Sequence, residues 1–208
     1  MSLKTHIAQR TGLWFFLIVL PLYLFDQITK WWTVLHFNTP HSFVTQEGKQ
    51  YQIWYNELGH SGITWIEGYL NWIRVHNQGV AFGLGHGSSW APVVFLLIPF
   101  VALILIVVFW KKGVFTGISQ YSAPLLIAGV LGNLTDRLVQ GFYLQAFTHE
   151  SFWTRLMSGY VVDFIDVTIP FIDYRWPTFN VADSCVCVAA GLLMLQSFRA
   201  EDAKPQKS

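Results

Sequence analysis

The chain has 208 residues, of which 53% are hydrophobic, 17% aromatic and only 12% charged, with a formal net charge of +1. Soluble domains carry roughly 25% charged residues, so half of the usual charge is missing and a membrane protein is indicated. A balance this close to neutral offers nothing to nucleic acid, and ten Trp with eight Tyr suit interfacial belts.

The N-terminus carries Lys4 and Arg10 ahead of the apolar run Leu13 to Phe25. A secretory signal peptide starts this way, but the run passes into Asp26-Gln27-Ile28-Thr29-Lys30-Trp31-Trp32 without a small-residue cleavage site. Residues 13–34 therefore read as a retained first membrane helix, about 20 residues being enough to span. Segment 35–90 is polar, aromatic and punctuated by glycines, and Tyr69 to Val75 alternates apolar with polar. Short strands and turns follow, forming a small sheet on the membrane surface. A second helix over 91–110 is uncharged and ends at Lys111-Lys112, and a third over 117–138 turns polar late, in Gly132-Asn133-Leu134-Thr135-Asp136-Arg137. Segment 139–178 holds Pro170 and Pro177 and reads as extramembrane; a fourth helix over 179–198 ends in a short charged tail. Cys185 and Cys187 are two apart in that helix and share no face, so neither a disulfide nor a metal pair is expected.

Lys and Arg gather on cytoplasmic flanks. Lys4, Arg10, Lys111, Lys112, Arg199, Lys204 and Lys207 lie in three short segments, whereas the long ones hold only Lys49, Arg74, Arg155 and Arg175. Both termini are thus expected in the cytoplasm and both long segments outside. Asp26, Lys30, Asn133, Asp136, Arg137, Asp163, Asn180 and Asp183 then converge on one outer level, and polar groups gathered at membrane depth mark a site. Asn133 with Arg137, and Asn180 with Asp183, have the spacing of neighbours on a helix.

Asp163, in Val161-Val162-Asp163-Phe164-Ile165-Asp166, and Asp183, in Phe179-Asn180-Val181-Ala182-Asp183-Ser184, are two acids in apolar surroundings on either side of a short connector. Two close carboxylates share one proton and can hydrolyse a peptide bond by general acid–base chemistry. Spacing alone does not select this pair. Asp136, Asp166 and Asp173 are nearby, Asp166 could share a helical face with Asp163, Asp136 beside Arg137 looks structural, and Asp26 with Lys30 fits an intrahelical ion pair. Gly87-Ser88-Ser89 lacks a nucleophile elbow, the seven histidines show no zinc-ligand spacing, and the Asn133-Leu134-Thr135 sequon sits in a helix end. A proton-coupled transporter also uses intramembrane acids, but no chain of acids reaches the cytoplasmic half. A non-catalytic assembly factor would not need an intact pair.

Five stretches together resemble bacterial lipoprotein signal peptidases: Asp26 to Lys30, Val75-His76-Asn77-Gln78-Gly79-Val80-Ala81-Phe82, Gly132 to Arg137, Val161 to Ile165, and Phe179 to Ser184. They occur in family order and cover about residues 13 to 198. The resemblance implies four transmembrane helices with a small extracytoplasmic β-cradle in a single membrane-embedded peptidase domain. It implies an aspartyl endopeptidase, free of metal and cofactor, that cuts prolipoproteins before a diacylglyceryl-modified cysteine. Asp163 and Asp183 match the catalytic pair, Asn77, Asn133, Arg137 and Asn180 the residues holding substrate, and Asp26, Asp136 and Gly79 the pocket support. A monomer in the bacterial inner membrane, in contact with phospholipid and lipidated prolipoprotein, is expected. Two departures stand out: Ala128 replaces a customary glycine, and segments 38–62 and 142–158 are longer than usual. The latter is expected to form an interfacial helix or lid, and both to lie against the outer leaflet and shape substrate access.

Overall fold

A computed structural model of the chain describes residues 13, 15–37, 42–44, 50–52, 62–78, 90–144 and 147–202. It is mostly helical, with a small antiparallel sheet. A π-helical turn, Phe15–Val19, leads into α1 (Leu20–His36). Strands β1 (Ser42–Val44) and β2 (Gln50–Gln52) pair with each other; β3 (Gly62–Ile66) and β4 (Leu70–Asn77) follow, then α2 (Ala91–Lys111). A 3-10 turn, Gly117–Tyr121, opens α3 (Ser122–Val139). Beyond a second such turn, Gln140–Tyr143, come α4 (Phe152–Met157), β5 (Val161–Ile169), β6 (Tyr174–Arg175) and α5 (Val181–Asp202). The chain divides into two compact units whose boundaries fall inside α1, α2 and α3 and at the start of α5: one comprises residues 1–26, 94–135 and 181–208, the other 27–93 and 136–180.

The first unit is helical. Among the described residues, two helical stretches are long and apolar enough to cross a membrane, Pro92–Lys111 and Val181–Arg199. Among the described residues of α2 only Ile106 is buried and most of the others are exposed, which suits a helix whose apolar side chains meet lipid. Small residues let α3 approach α5. A Cβ on Gly129 would lie 2.5 Å from the Ala182 carbonyl oxygen, and one on Gly132 would lie 2.5 Å from Asp26 Oδ2. Ala123, Ala128, Ala182 and Ala189 are buried as well, small residues of the kind that close helix packing uses. Polar contacts fix the register: Ser122 Oγ donates to the Ala189 carbonyl at 3.0 Å, and Gln196 Oε1 accepts from Ile118 N–H at 3.1 Å.

The second unit is built on a sheet of order β3-β4-β5-β6. The sequence places the sheet within 35–90; one of its two inner strands, β5, instead comes from the later segment, and its first four residues are all buried. Asp163 and Asp166 therefore lie on a strand, where a separation of three puts them on opposite faces, and not on the shared helical face considered above. β4 and β5 pair as Leu70 with Val167 through Trp72 with Ile165, then Val75 with Asp163 through Asn77 with Val161. One extra residue on β4 between these blocks makes a bulge around Ile73 and Arg74. Trp72 stacks on Phe164 with ring centroids 4.6 Å apart, and its Nε1 donates to Thr33 Oγ1 at 2.8 Å, fastening the sheet to the end of α1.

Within segment 142–158, local contacts hold the described residues 142–144 and 147–158. Ser151 caps α4 by accepting from Thr154 N–H at 3.2 Å. Arg155 lies over the Phe142 ring and donates to the Phe142 carbonyl. Gly141 abuts the Arg155 carbonyl and Gly159 the Arg137 carbonyl so closely that neither has room for a Cβ. Most of segment 38–62 lies outside the described residues, β1 and β2 excepted.

Candidate active site

In the sheet unit, the Val75–Asp163 pairing puts Asn77 diagonally across from Asp163 on the same face. Asn77 Nδ2 donates to Asp163 Oδ2 at 2.9 Å. The second donor comes from the far end of the connector. Phe179 exchanges backbone hydrogen bonds with Ile165 at 2.8 and 3.1 Å, which carries the next residue, Asn180, to the carboxylate. Asn180 Nδ2 donates to Asp163 Oδ1 at 2.7 Å. Both Asp163, 2% exposed, and Asn180 are buried. The fourth helix begins at Val181 rather than 179, so Asn180 precedes it. The expected helical neighbourhood of Asn180 and Asp183 is replaced by this strand-like bridge.

Asp136 also belongs to this unit. Its Oδ2 lies 3.1 Å from Lys30 Nζ, both side chains fully buried, and accepts from Val162 N–H at 2.9 Å. Gln27 Nε2 donates to its other oxygen at 3.4 Å. The acid thus ties α1 to the strand residue next to Asp163. Asp166, also buried, takes Arg175 Nε at 2.6 Å and Nη2 at 2.9 Å, plus Asn71 Nδ2 at 3.0 Å. This bidentate pair is a structural tie between β4, β5 and β6. Arg137 is half-buried, and its backbone carbonyl lies close against Gly159.

In the helical unit, Asp183 occupies the first turn of α5, where the helix dipole favours an acid. Asn133 Nδ2 donates to its Oδ1 at 2.8 Å. Asp26, 1% exposed, accepts from Ala182 N–H at 2.8 Å, satisfying one of the helix's open amides one residue before Asp183. Gly79 lies outside the described residues.

Sequence reasoning did not find the pairing of Lys30 with Asp136, the bond of Asp26 to Ala182, or the cluster around Arg74 and His76. Arg74 and Tyr160 are 86 residues apart, Lys30 and Asp136 are 136 − 30 = 106 apart, and Asp26 and Ala182 are 156 apart, so none of these pairings follows a local spacing. In that cluster burial and the neighbouring Arg74 guanidinium push the His76 imidazole down to about 3, so it is neutral and accepts a hydrogen bond rather than acting as a base. Burial raises the Tyr160 hydroxyl, first among the influences on it. Among the described residues no group of three or more His, Cys, Asp or Glu is disposed to hold a metal.

The profile of the family Signal peptidase (SPase) II matches residues 18–199. The lipoprotein signal peptidase of Psychromonas ingrahamii is 31% identical over 205 residues, covering 97% of this chain and 94% of that protein. That of Pseudoalteromonas atlantica is 30% identical over 202 residues, covering 95% and 96%. Among solved structures, a bacterial membrane enzyme determined by the in meso method at 2.3 Å resolution is similar, with TM-score 0.64, 27% identity and coverage of 93% of this chain and 92% of that one. A helical chain with buried acids and these likenesses is a membrane peptidase. More narrowly, the chain belongs to the signal peptidase II family.

Proposed function

We propose that this chain is an aspartyl endopeptidase that removes signal peptides from diacylglyceryl-modified prolipoproteins, with Asp163 and Asp183 as its catalytic pair. Removal of signal peptides from prolipoproteins is what membership of the family supports. The aspartyl reading is carried by one observation. Asp163 is buried and accepts from the side-chain amides of both Asn77 and Asn180, two donors that fix the direction of its carboxylate. Asp183 receives the same kind of donor from Asn133.

In this reading the two acids carry one proton between them. The ionised acid takes a proton from water, whose oxygen attacks the scissile carbonyl carbon. The protonated acid gives its proton to the carbonyl oxygen. Collapse of the tetrahedral intermediate breaks the C–N bond and returns a proton to the departing amine of the lipidated cysteine. Arg137 and the three asparagines hold the substrate backbone, and Asp26, Asp136 and Gly79 support the pocket. No cofactor takes part.

The chain acts as a monomer and one membrane-embedded domain, with four membrane helices, both termini in the cytoplasm and the acids near the outer face of the inner membrane. Phospholipid is its second partner. Exposed Leu24, Phe25, Ile28 and Leu35 form a helical stripe on α1, and Tyr143 meets Trp31 on that helix edge-on at 4.9 Å. Exposed Tyr143, Phe152 and Trp153 carry aromatic surface into segment 142–158, which suits the headgroup level of the outer leaflet.

The test is purified enzyme with a diacylglyceryl prolipoprotein, following release of the signal peptide. Release that survives a chelator and is blocked by a peptide analogue with a tetrahedral hydroxyl-bearing carbon at the scissile position supports the reading. Loss of release on chelation, or trapping of an acyl-enzyme, sinks it.

A further inference from the structure

The face of the sheet opposite Asp163 carries a buried cluster that the reaction does not use. Arg74, 8% exposed, donates from Nη1 to the Val34 carbonyl at 3.0 Å and to the Phe37 carbonyl at 2.9 Å. These acceptors belong to the end of α1, where helix carbonyls lack intrahelical partners. Its Nε donates to His76 Nε2 at 3.0 Å and its Nη2 to the Tyr160 hydroxyl at 3.3 Å. His76 lies flat on Tyr160, with ring centroids 3.7 Å apart and planes 23° from parallel. Tyr160 in turn reaches Gln140 Oε1 at 3.5 Å. One guanidinium thus joins the end of α1, the β4 bulge and the residue preceding β5.

The bulge decides which face Asn77 occupies. Continued without the extra residue, the pairing of Leu70 to Trp72 would set Asn77 opposite Tyr160, on the face of Val162 and Phe164. Asp163 points to the other face, and a one-residue slip of this kind exchanges every side chain. With the bulge, Asn77 pairs with Val161 and reaches Asp163. Arg74 sits in the bulge, and His76 beyond it is stacked on the residue just before Asn77's partner.

We propose that Arg74, His76 and Tyr160 form a register clamp, and that Arg74 and His76 are positioning residues that act on the reaction by holding Asn77 against Asp163. The clamp rests on the assignment of Asp163 as a catalytic acid. The neutral state of His76 agrees with its acceptor role, since a protonated ring would face Arg74 with like charge.

A double-mutant cycle on the full-length enzyme tests this, reading kcat and KM for signal-peptide release with Arg74→Gln, Asn77→Ala and the double variant. Arg74→Gln is expected to lower kcat about tenfold or more with little change in KM, and the double variant to be no slower than Asn77→Ala alone. Losses that multiply, or a wild-type kcat in Arg74→Gln, overturn the clamp. If Arg74→Gln does not fold, His76 decides. His76→Phe keeps the stack but loses the acceptor and should be slow, whereas His76→Gln restores an acceptor and should return to about twofold of wild type. Equal rates for Phe and Gln overturn the clamp. Asp163→Asn runs alongside as the separating control. Cleavage by that variant removes the underlying assignment, whereas an inactive Asp163→Asn with multiplicative losses in the cycle removes the clamp alone.

Discussion

Asp163 and Asp166 stand three residues apart on β5, both buried and on opposite faces of the sheet. On one face Asp166 meets the fork of Arg175, and on the other Asp163 takes the amides of Asn77 and Asn180. A guanidinium supplies the opposite charge and uses the acid to tie strands together. An amide supplies direction alone and leaves proton exchange to the chemistry. Asp136, held by Lys30 and the Val162 amide, belongs with Asp166. In the proposed mechanism, the partners of a buried acid, more than its burial, separate the structural from the reactive.

The sharpest way to break that contrast is to turn each acid into its amide. Asp163→Asn should lower signal-peptide release by about 1,000-fold or more while its melting temperature holds. Asp166→Asn should keep release within about threefold and lose stability, by about 2 kcal/mol in denaturant titration, a figure discounted because Arg175 is 40% exposed. Equal effects on activity would erase the distinction. Next comes the donor in the helical unit. Asn133→Ala removes a hydrogen bond to Asp183 and should lower kcat by about 10- to 100-fold without unfolding the protein, as circular dichroism would check. A smaller effect is expected where backbone packs on backbone. Gly159→Ala forces a methyl onto the Arg137 carbonyl and should cost about 1–3 kcal/mol of stability, read as a lower melting temperature.

The smallest effect concerns His76. Its folded value of about 3 lies below the unfolded 6.5, so the unfolded chain binds the proton first as pH falls. Its contribution to stability is therefore complete above about pH 6.5 and is lost progressively toward pH 3. Between pH 6.5 and 5.5 the wild type should lose up to about 1.4 kcal/mol more than His76→Gln, measured by denaturant titration at both values. Parallel losses would mean that His76 is not held neutral.

Much of the helical architecture was legible because lipid-facing helices declare themselves by uncharged length, as 91–110 does. The acids and asparagines were legible as motif residues, but not their partners. β5 was missed as an inner strand of the sheet because Val161 to Ile169 is isolated in sequence from the strands it joins, and its pairing with β4 bridges more than 80 residues. The place of Asn180 outside the helix was hidden because the bridge between Ile165 and Phe179 that sets the boundary is tertiary. The β4 bulge left no periodic signal, since Asn71 and Asn77 share a parity that an unbroken strand would have placed on one face.

The proposed mechanism needs one proton shared by Asp163 and Asp183, and the pH dependence of kcat/KM for signal-peptide release, run on the wild type and Asp183→Asn, tests it most directly. A shared proton gives a bell, with one limb where both acids are protonated and another where both are ionised, and no release by Asp183→Asn at any pH. A profile with a single limb, or a variant that still cleaves, contradicts it.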